Sequence, residues 1–293
     1  KNSKYKQPFV FLSKHSNTKV STLNDFSLDA PLIAVAWQFV VAKSISAELN
    51  ACHHLILGLC VWLSYSADRF SEPSRPPFLS ARRYEIFKNH KPTFLVCWWS
   101  SLLFAVCCSV NYLEANCILY GMLLFALSLG NFFLCRFETR FGFASRCTKE
   151  LRTALILSLG CLFFPAYESS RAWGELSLCW ILLFVLFFIN CISVSKWEWF
   201  KDEKRGSLSC LQKKPEFLKA LAMGKYPFAL IILIVILING AEPNLILHAL
   251  WITLFVISLD FFLMDEEDKR GMIDLGYWIV PLALLGTEYV YGI

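Results

Sequence analysis

Nine long apolar stretches constrain this chain more than any other feature. They run roughly from Pro31 to Ala47, Ala51 to Ala67, Pro92 to Tyr112, Ala115 to Cys135, Thr153 to Tyr167, Leu176 to Ser195, Phe217 to Gly240, Asn244 to Met264 and Gly271 to Tyr291. A helix crosses a bilayer core of about 30 Å with roughly 20 apolar residues, because each residue rises about 1.5 Å and every backbone polar group must be satisfied within the segment. Composition agrees: 56% of the 293 residues are apolar, 16% are aromatic and the mean hydropathy is +0.50, which excludes an ordinary soluble domain. The expected fold class is all-α, a polytopic transmembrane bundle of about nine helices. The second and fifth stretches are short for full crossings and are expected to extend into flanking polar residues.

No linker or low-complexity tract divides the sequence, so residues 26–293 are expected to form a single transmembrane domain, preceded by a polar cytoplasmic tail over residues 1–25. The segment from Lys1 to Asn24 lacks the apolar core of a cleavable signal peptide. The 12 cysteines are scattered, without zinc-ligand or redox spacing, and read as small packing residues. Membrane lipid is the expected surrounding partner, and no nucleic-acid partner is expected.

Loop charge gives the orientation, since Lys and Arg are retained on the cytoplasmic side. Lys1, Lys4, Lys6, Lys14 and Lys19 precede the first stretch; Arg69, Arg75, Arg82, Arg83, Lys88 and Lys91 follow the second. Arg136, Arg140, Arg146, Lys149 and Arg152 follow the fourth, and Lys196, Lys201, Lys204, Arg205, Lys213, Lys214 and Lys219 the sixth. The opposite connections hold one basic residue, Arg171, among acids such as Glu48, Glu114 and Glu242. Nine crossings with a cytoplasmic N-terminus place every basic loop inside.

Two of those loops begin with acids four residues apart: Asp68 and Glu72, then Glu198 and Asp202. If the helices continue that far, a four-residue step puts each pair on one helix face. Two facing pairs suit Mg²⁺, a hard cation that takes carboxylate oxygens and shares its coordination with substrate phosphates. Arg69, Arg75, Lys149, Lys204 and Arg205 lie near enough in sequence to neutralise a diphosphate. The alternative is a mixed, solvated loop charge pattern.

These residues resemble the UbiA superfamily of intramembrane prenyltransferases, whose nine helices carry aspartate-rich motifs after the second and sixth. The first family motif runs NDxxDxxxD with an Arg-Pro pair following. Ser64, Tyr65, Asp68 and Glu72 fall on its four positions, and Arg75-Pro76 follows. In the second, Asp202, Gly206 and Ser209 match the family spacing, and Lys149 resembles a basic residue placed before the fifth helix to meet the diphosphate. The resemblance implies Mg²⁺-dependent transfer of a prenyl group from an isoprenoid diphosphate to a hydrophobic acceptor, with Asp68, Glu72, Glu198 and Asp202 as catalytic metal ligands. A non-catalytic prenyl-lipid or metal-binding relative and a secondary transporter are the alternatives, the first motivated by Tyr65 and the second by Lys43 and Asp260 inside apolar stretches.

Tyr65 and Asn190 are candidate cavity residues. Trp62, Trp197 and Trp199 suit either a cavity wall or the interfacial aromatic belt. Lys43 suits a snorkelling or a buried role. His53 and His54 are expected as plain loop residues on the outer side, and Asp265, Glu266, Glu267 and Asp268 as a solvated turn.

Overall fold

A computed structural model describes residues 26–71, 89–141, 149–170, 173–205, 211–239, 244–261 and 266–291. Among them are ten helices: α1 (Asp29–Ser44), α2 (Ala51–Ser71), α3 (Lys91–Tyr112), α4 (Ala115–Phe141), α5 (Lys149–Glu168), α6 (Trp173–Arg205), α7 (Pro215–Met223), α8 (Lys225–Asn239), α9 (Asn244–Phe261) and α10 (Glu266–Tyr291). The expected all-α bundle is what the chain forms. Five described segments are long and apolar enough to cross a membrane: Lys91–Tyr112, Ala115–Cys135, Lys149–Glu168, Leu176–Trp199 and Pro215–Ile234. Ala51–Ala67, His248–Phe261 and Gly271–Ala283 are shorter apolar helices. The protein is an integral membrane protein.

The seventh apolar stretch departs from a continuous span. Gly224 alone separates α7 from α8, and Pro227, in the first turn of α8, has no N–H to return to the preceding turn. A proline within an apolar helix removes that bond and crowds the chain before it, which breaks the helix here. The two pieces pack differently: Leu218 and Ala222 of α7 bury against Leu211 and Ile192, while α8 runs beside α9. Counting α7 and α8 as one pass, the described helices cross the bundle nine times.

Side-chain contacts fix which helix ends lie together. Trp62 Nε1 donates to the Phe26 carbonyl, so the end of α2 meets the start of α1. The His53 ring lies 3.7 Å from Glu168, so the start of α2 meets the end of α5. Arg152 Nε donates to Asn131 Oδ1, and Ser195 Oγ donates to Glu150 Oε1, bringing the end of α4, the start of α5 and the end of α6 together. Lys225 and Lys196 both reach Asp260, adding the start of α8 and the end of α9. Every connection that is basic in sequence therefore leaves from one end, called the mouth here, while Glu48, Glu114 and Glu168 gather at the other.

The core wraps α1, which is buried on nearly all sides by α2, α5, α9 and α10. Trp37 of α1, Phe187 of α6 and Tyr277 of α10 meet at its centre edge-on or tilted, with ring centroids 6.3 to 6.4 Å apart, and the Tyr277 hydroxyl donates to the Leu186 carbonyl. Glycine permits one tight approach, since a Cβ on Gly276 of α10 would stand 2.3 Å from the Phe255 ring of α9, and Gly160 of α5 packs on Leu57 of α2 in ordinary contact. By contrast α3 and α4 bury little, and Val96, Trp99, Leu103, Met122 and Leu123 face outward as lipid-contacting surface.

Candidate active site

The acid pairs depend on α2 and α6 outrunning their apolar cores, and both do. Helix α2 continues past its last apolar turn to Ser71, carrying position 68, and α6 continues to Arg205, carrying Glu198 and position 202. At about 100° per residue, Cys191, Ser195, Glu198 and Asp202 form one stripe along α6. Ser195 fixes where that stripe points, because its hydroxyl meets Glu150 in the first turn of α5 at 3.1 Å. On α2, Leu57, Ser64 and position 68 share a stripe. Leu57 abuts Gly160 of α5, and Ser64 Oγ lies 3.4 Å from Ser128 Oγ of α4. Both acid-bearing stripes thus run to the mouth on the side of their helix that faces α5 or its neighbour α4.

Glu198 is half-buried and Lys149 is exposed at the start of α5. Asn190 is partly buried, and its Oδ1 has no hydrogen-bond partner among the described residues. Tyr65 is half-buried in α2. Glu72 and Arg75 lie outside the described residues, as do the side chains of Asp68, Arg69, Asp202, Lys204 and Arg205. Among the described residues no group of three or more His, Cys, Asp or Glu side chains is arranged to hold a metal ion. The sequence acids of the two pairs are all oxygen donors, the donor chemistry that suits Mg²⁺.

The tryptophans of the mouth pin segments together. Trp62 holds Phe26, Trp199 Nε1 donates to the Gln212 carbonyl at 2.8 Å, and Trp197 is buried. Gln212 Nε2 returns a bond to the Ser195 carbonyl, so Gln212 lies against the turn of α6 that carries Ser195 and Trp199.

Three buried polar groups went unrecognised in sequence. Glu150 was counted within a basic loop, yet it is 5% exposed. Arg152 is buried two residues on, donating to Asn131 at 2.8 Å and to Cys135 Sγ at 3.4 Å. Lys225 is 1% exposed and sits 2.5 Å from Asp260, whose other oxygen is 3.6 Å from Lys196 and whose Oδ2 accepts from the Tyr226 hydroxyl at 3.4 Å. Only a three-dimensional fold brings Lys225 to Asp260, but a lysine just before a helix-breaking proline was the available signal.

The outer histidines correct the sequence expectation. His53 and His54 are buried in the first turn of α2. Asn50 caps this helix: its Oδ1 accepts the His53 N–H at 3.1 Å, and His53 Nδ1 accepts the Asn50 N–H in return. His54 donates from Nδ1 to Gln38 Oε1 at 2.7 Å, which satisfies that fully buried amide oxygen. Lys43 is exposed at the end of α1, as snorkelling requires. The backbone of Glu266 to Asp268 opens α10 as helix, and Asp265 lies outside the described residues.

A cavity of about 390 Å³ opens at the end away from the mouth, lined by Glu48, Asn50, His53, Tyr112, Glu114 and Glu168 among others. It is far from the acid-bearing stripes, at the opposite ends of the same helices.

No family model and no curated protein matches the sequence. A solved apo structure of a UbiA homolog from Aeropyrum pernix K1 is similar, with a TM-score of 0.56 over 91% of this chain and 99% of that one, at 11% identity. At that identity the likeness is one of architecture: the chain has the fold of this UbiA homolog.

Proposed function

We propose that the protein is a membrane-embedded prenyltransferase, oriented with the mouth and N-terminus on the cytoplasmic side, that moves a prenyl group from an isoprenoid diphosphate to a hydrophobic acceptor. One observation supports this reading: in a UbiA-like bundle, helices α2 and α6 both run past their apolar cores to the same end, carrying position 68 and Glu198 on stripes turned to α5 and its neighbour α4. Asp68, Glu72, Glu198 and Asp202 would hold Mg²⁺, which when bound offsets the charge of the departing diphosphate. Lys149, with Arg69, Arg75, Lys204 and Arg205, would take the remaining phosphate charge. The apolar interior keeps water from the allylic cation left after C–O cleavage, and aromatic faces stabilise such a cation until the acceptor attacks. Membrane lipid carries both hydrophobic substrates to the bundle.

The transporter alternative loses its motive, since Asp260 is neutralised by Lys225 and Lys43 is exposed. The non-catalytic alternative rests on Tyr65, which occupies a motif position where the family has aspartate. One experiment separates it from catalysis: detergent-purified protein is incubated with labelled prenyl diphosphates and lipophilic acceptors, with and without Mg²⁺. Metal-dependent pyrophosphate release that disappears in Asp68→Ala and Asp202→Ala is expected. Diphosphate binding without release would establish a non-catalytic protein, and no binding would end both readings.

A further inference from the structure

The cavity at the end away from the mouth is assembled where three helix junctions meet. Glu48 and Asn50 come from the turn between α1 and α2, Glu114 from the turn between α3 and α4, and Glu168 from the end of α5. Its volume of about 390 Å³ is enough for a small molecule or a lipid headgroup. None of its lining residues is lysine or arginine, and among the described residues neither type pairs with Glu48, Glu114 or Glu168. A concave site lined by one sign of charge concentrates the opposite sign within it.

Acids at a helix end are ordinarily just solvated, so this charge alone would not make a site. His53 adds a second feature. It lines the same cavity yet is 4% exposed, with its ring stacked on Phe164 at 4.7 Å between centroids. Its Nδ1 accepts the Asn50 N–H, so the neutral ring carries its proton on Nε2. Glu168 Oε1, across the cavity wall, stands 3.7 Å from Nε2, beyond hydrogen-bond reach. Nε2 is therefore a nearly buried donor, turned to the cavity, that makes no hydrogen bond among the described residues, and such a donor is costly unless the cavity contents accept from it. Glu114 is held in place as well, since its Oε2 accepts the Tyr167 hydroxyl at 2.8 Å.

We propose that this cavity binds a primary ammonium with an oxygen two carbons away, the 2-aminoethanol unit that occurs as a free amine and as the headgroup of an ethanolamine lipid. The three N–H donors of an ammonium match the carboxylates of Glu48, Glu114 and Glu168, and the oxygen accepts from His53 Nε2. Headgroups lie at the level of the bilayer where helices end, so either source reaches the site. The site is separate from the mouth and independent of the chemistry proposed there.

Labelled 2-aminoethanol is equilibrated by dialysis against the full chain in detergent at fixed ionic strength. Saturable binding is expected, and ethylene glycol, which has the oxygen without the ammonium, should not compete. Glu48→Gln, Glu114→Gln and Glu168→Gln should each raise Kd about tenfold or more at an unchanged thermal midpoint, since each removes a charge-assisted bond. His53→Phe keeps an aromatic ring on Phe164 but removes the donor, and should weaken 2-aminoethanol more than ethylamine, which lacks the oxygen. An equal effect on both amines would overturn the His53 contact; should His53→Phe not fold, the glutamine variants decide the site. In a second arm the chain is placed in nanodiscs of mixed ethanolamine and choline lipids, and the lipids it retains are identified by native mass spectrometry. Retention of ethanolamine lipid that disappears in the glutamine variants identifies the headgroup as the occupant, and binding of the free amine without lipid preference identifies the soluble amine. Failure of both arms, or binding that all three glutamine variants leave unchanged, would overturn the site and leave a cavity filled by water.

Discussion

The two ends of the bundle handle charge in opposite ways. At the mouth, buried Lys225, Arg152 and Glu150 tie several helices together, Lys225 to Asp260, Arg152 to Asn131 and Glu150 to Ser195, with the partly exposed Lys196 also reaching Asp260. At the far end the charges surround an open cavity, with Glu168 about a third exposed and the His53 ring 3.7 Å away. Lys225 and Asp260 are largely shielded from water, whereas Glu168 is open to it. Removing a partner from a buried pair strands a desolvated charge, whereas an exposed pair contributes little.

That contrast is open to direct attack, beginning with its strongest element. Asp260→Ala leaves Lys225 buried without its counter-ion and should cost about 3 to 5 kcal/mol in chemical unfolding followed in detergent, with Lys225→Met in the same chain recovering most of it. Arg152→Ala takes from Asn131 Oδ1 its charged donor, leaving the weaker Cys135 thiol, and should cost about 1 to 3 kcal/mol by the same measurement. Gly276→Ala tests packing rather than charge: a Cβ there would stand 2.3 Å from the Phe255 ring, so a cost of about 1 to 3 kcal/mol is expected unless that ring turns aside. At the far end, Glu168→Gln should change stability by at most about 1 kcal/mol, an effect that fades as salt is raised. A large loss from Glu168→Gln, or a negligible one from Asp260→Ala, would erase the distinction between the ends.

Much of this architecture was legible beforehand because bilayer thickness writes itself into sequence as apolar length. The nine stretches match the nine passes of the described helices, and the expectation that the second and sixth stretches continue as helix into polar sequence is met by α2, which reaches Ser71, and by α6, which reaches Arg205. Hydropathy averages over a window, so it hid what single residues do. Pro227 broke a stretch whose mean remained apolar, and α2 begins at Ala51, where the second stretch also begins, so His53 and His54 belong to its first turn, capped by Asn50, and not to the loop. Partners distant in sequence, such as Lys225 with Asp260 or Glu150 with Ser195, leave no local mark. Glu150 was masked by the basic residues around it, where net loop charge was the signal being read.

The enclosure of α1 has a consequence for how the molecule is made. Helices entering a bilayer in chain order pair most readily with those just before them, as α2 does with α1 and α6 with α5. Helix α1, however, rests against α9 and α10, and Trp37 closes on Tyr277 some 240 residues later in the sequence. Until α10 arrives, Trp37 has Phe187 of α6 beside it but lacks Tyr277. Assembly of this bundle is therefore completed only by its last pass, and a chain stopped before α10 would hold its other helices around an unfinished centre.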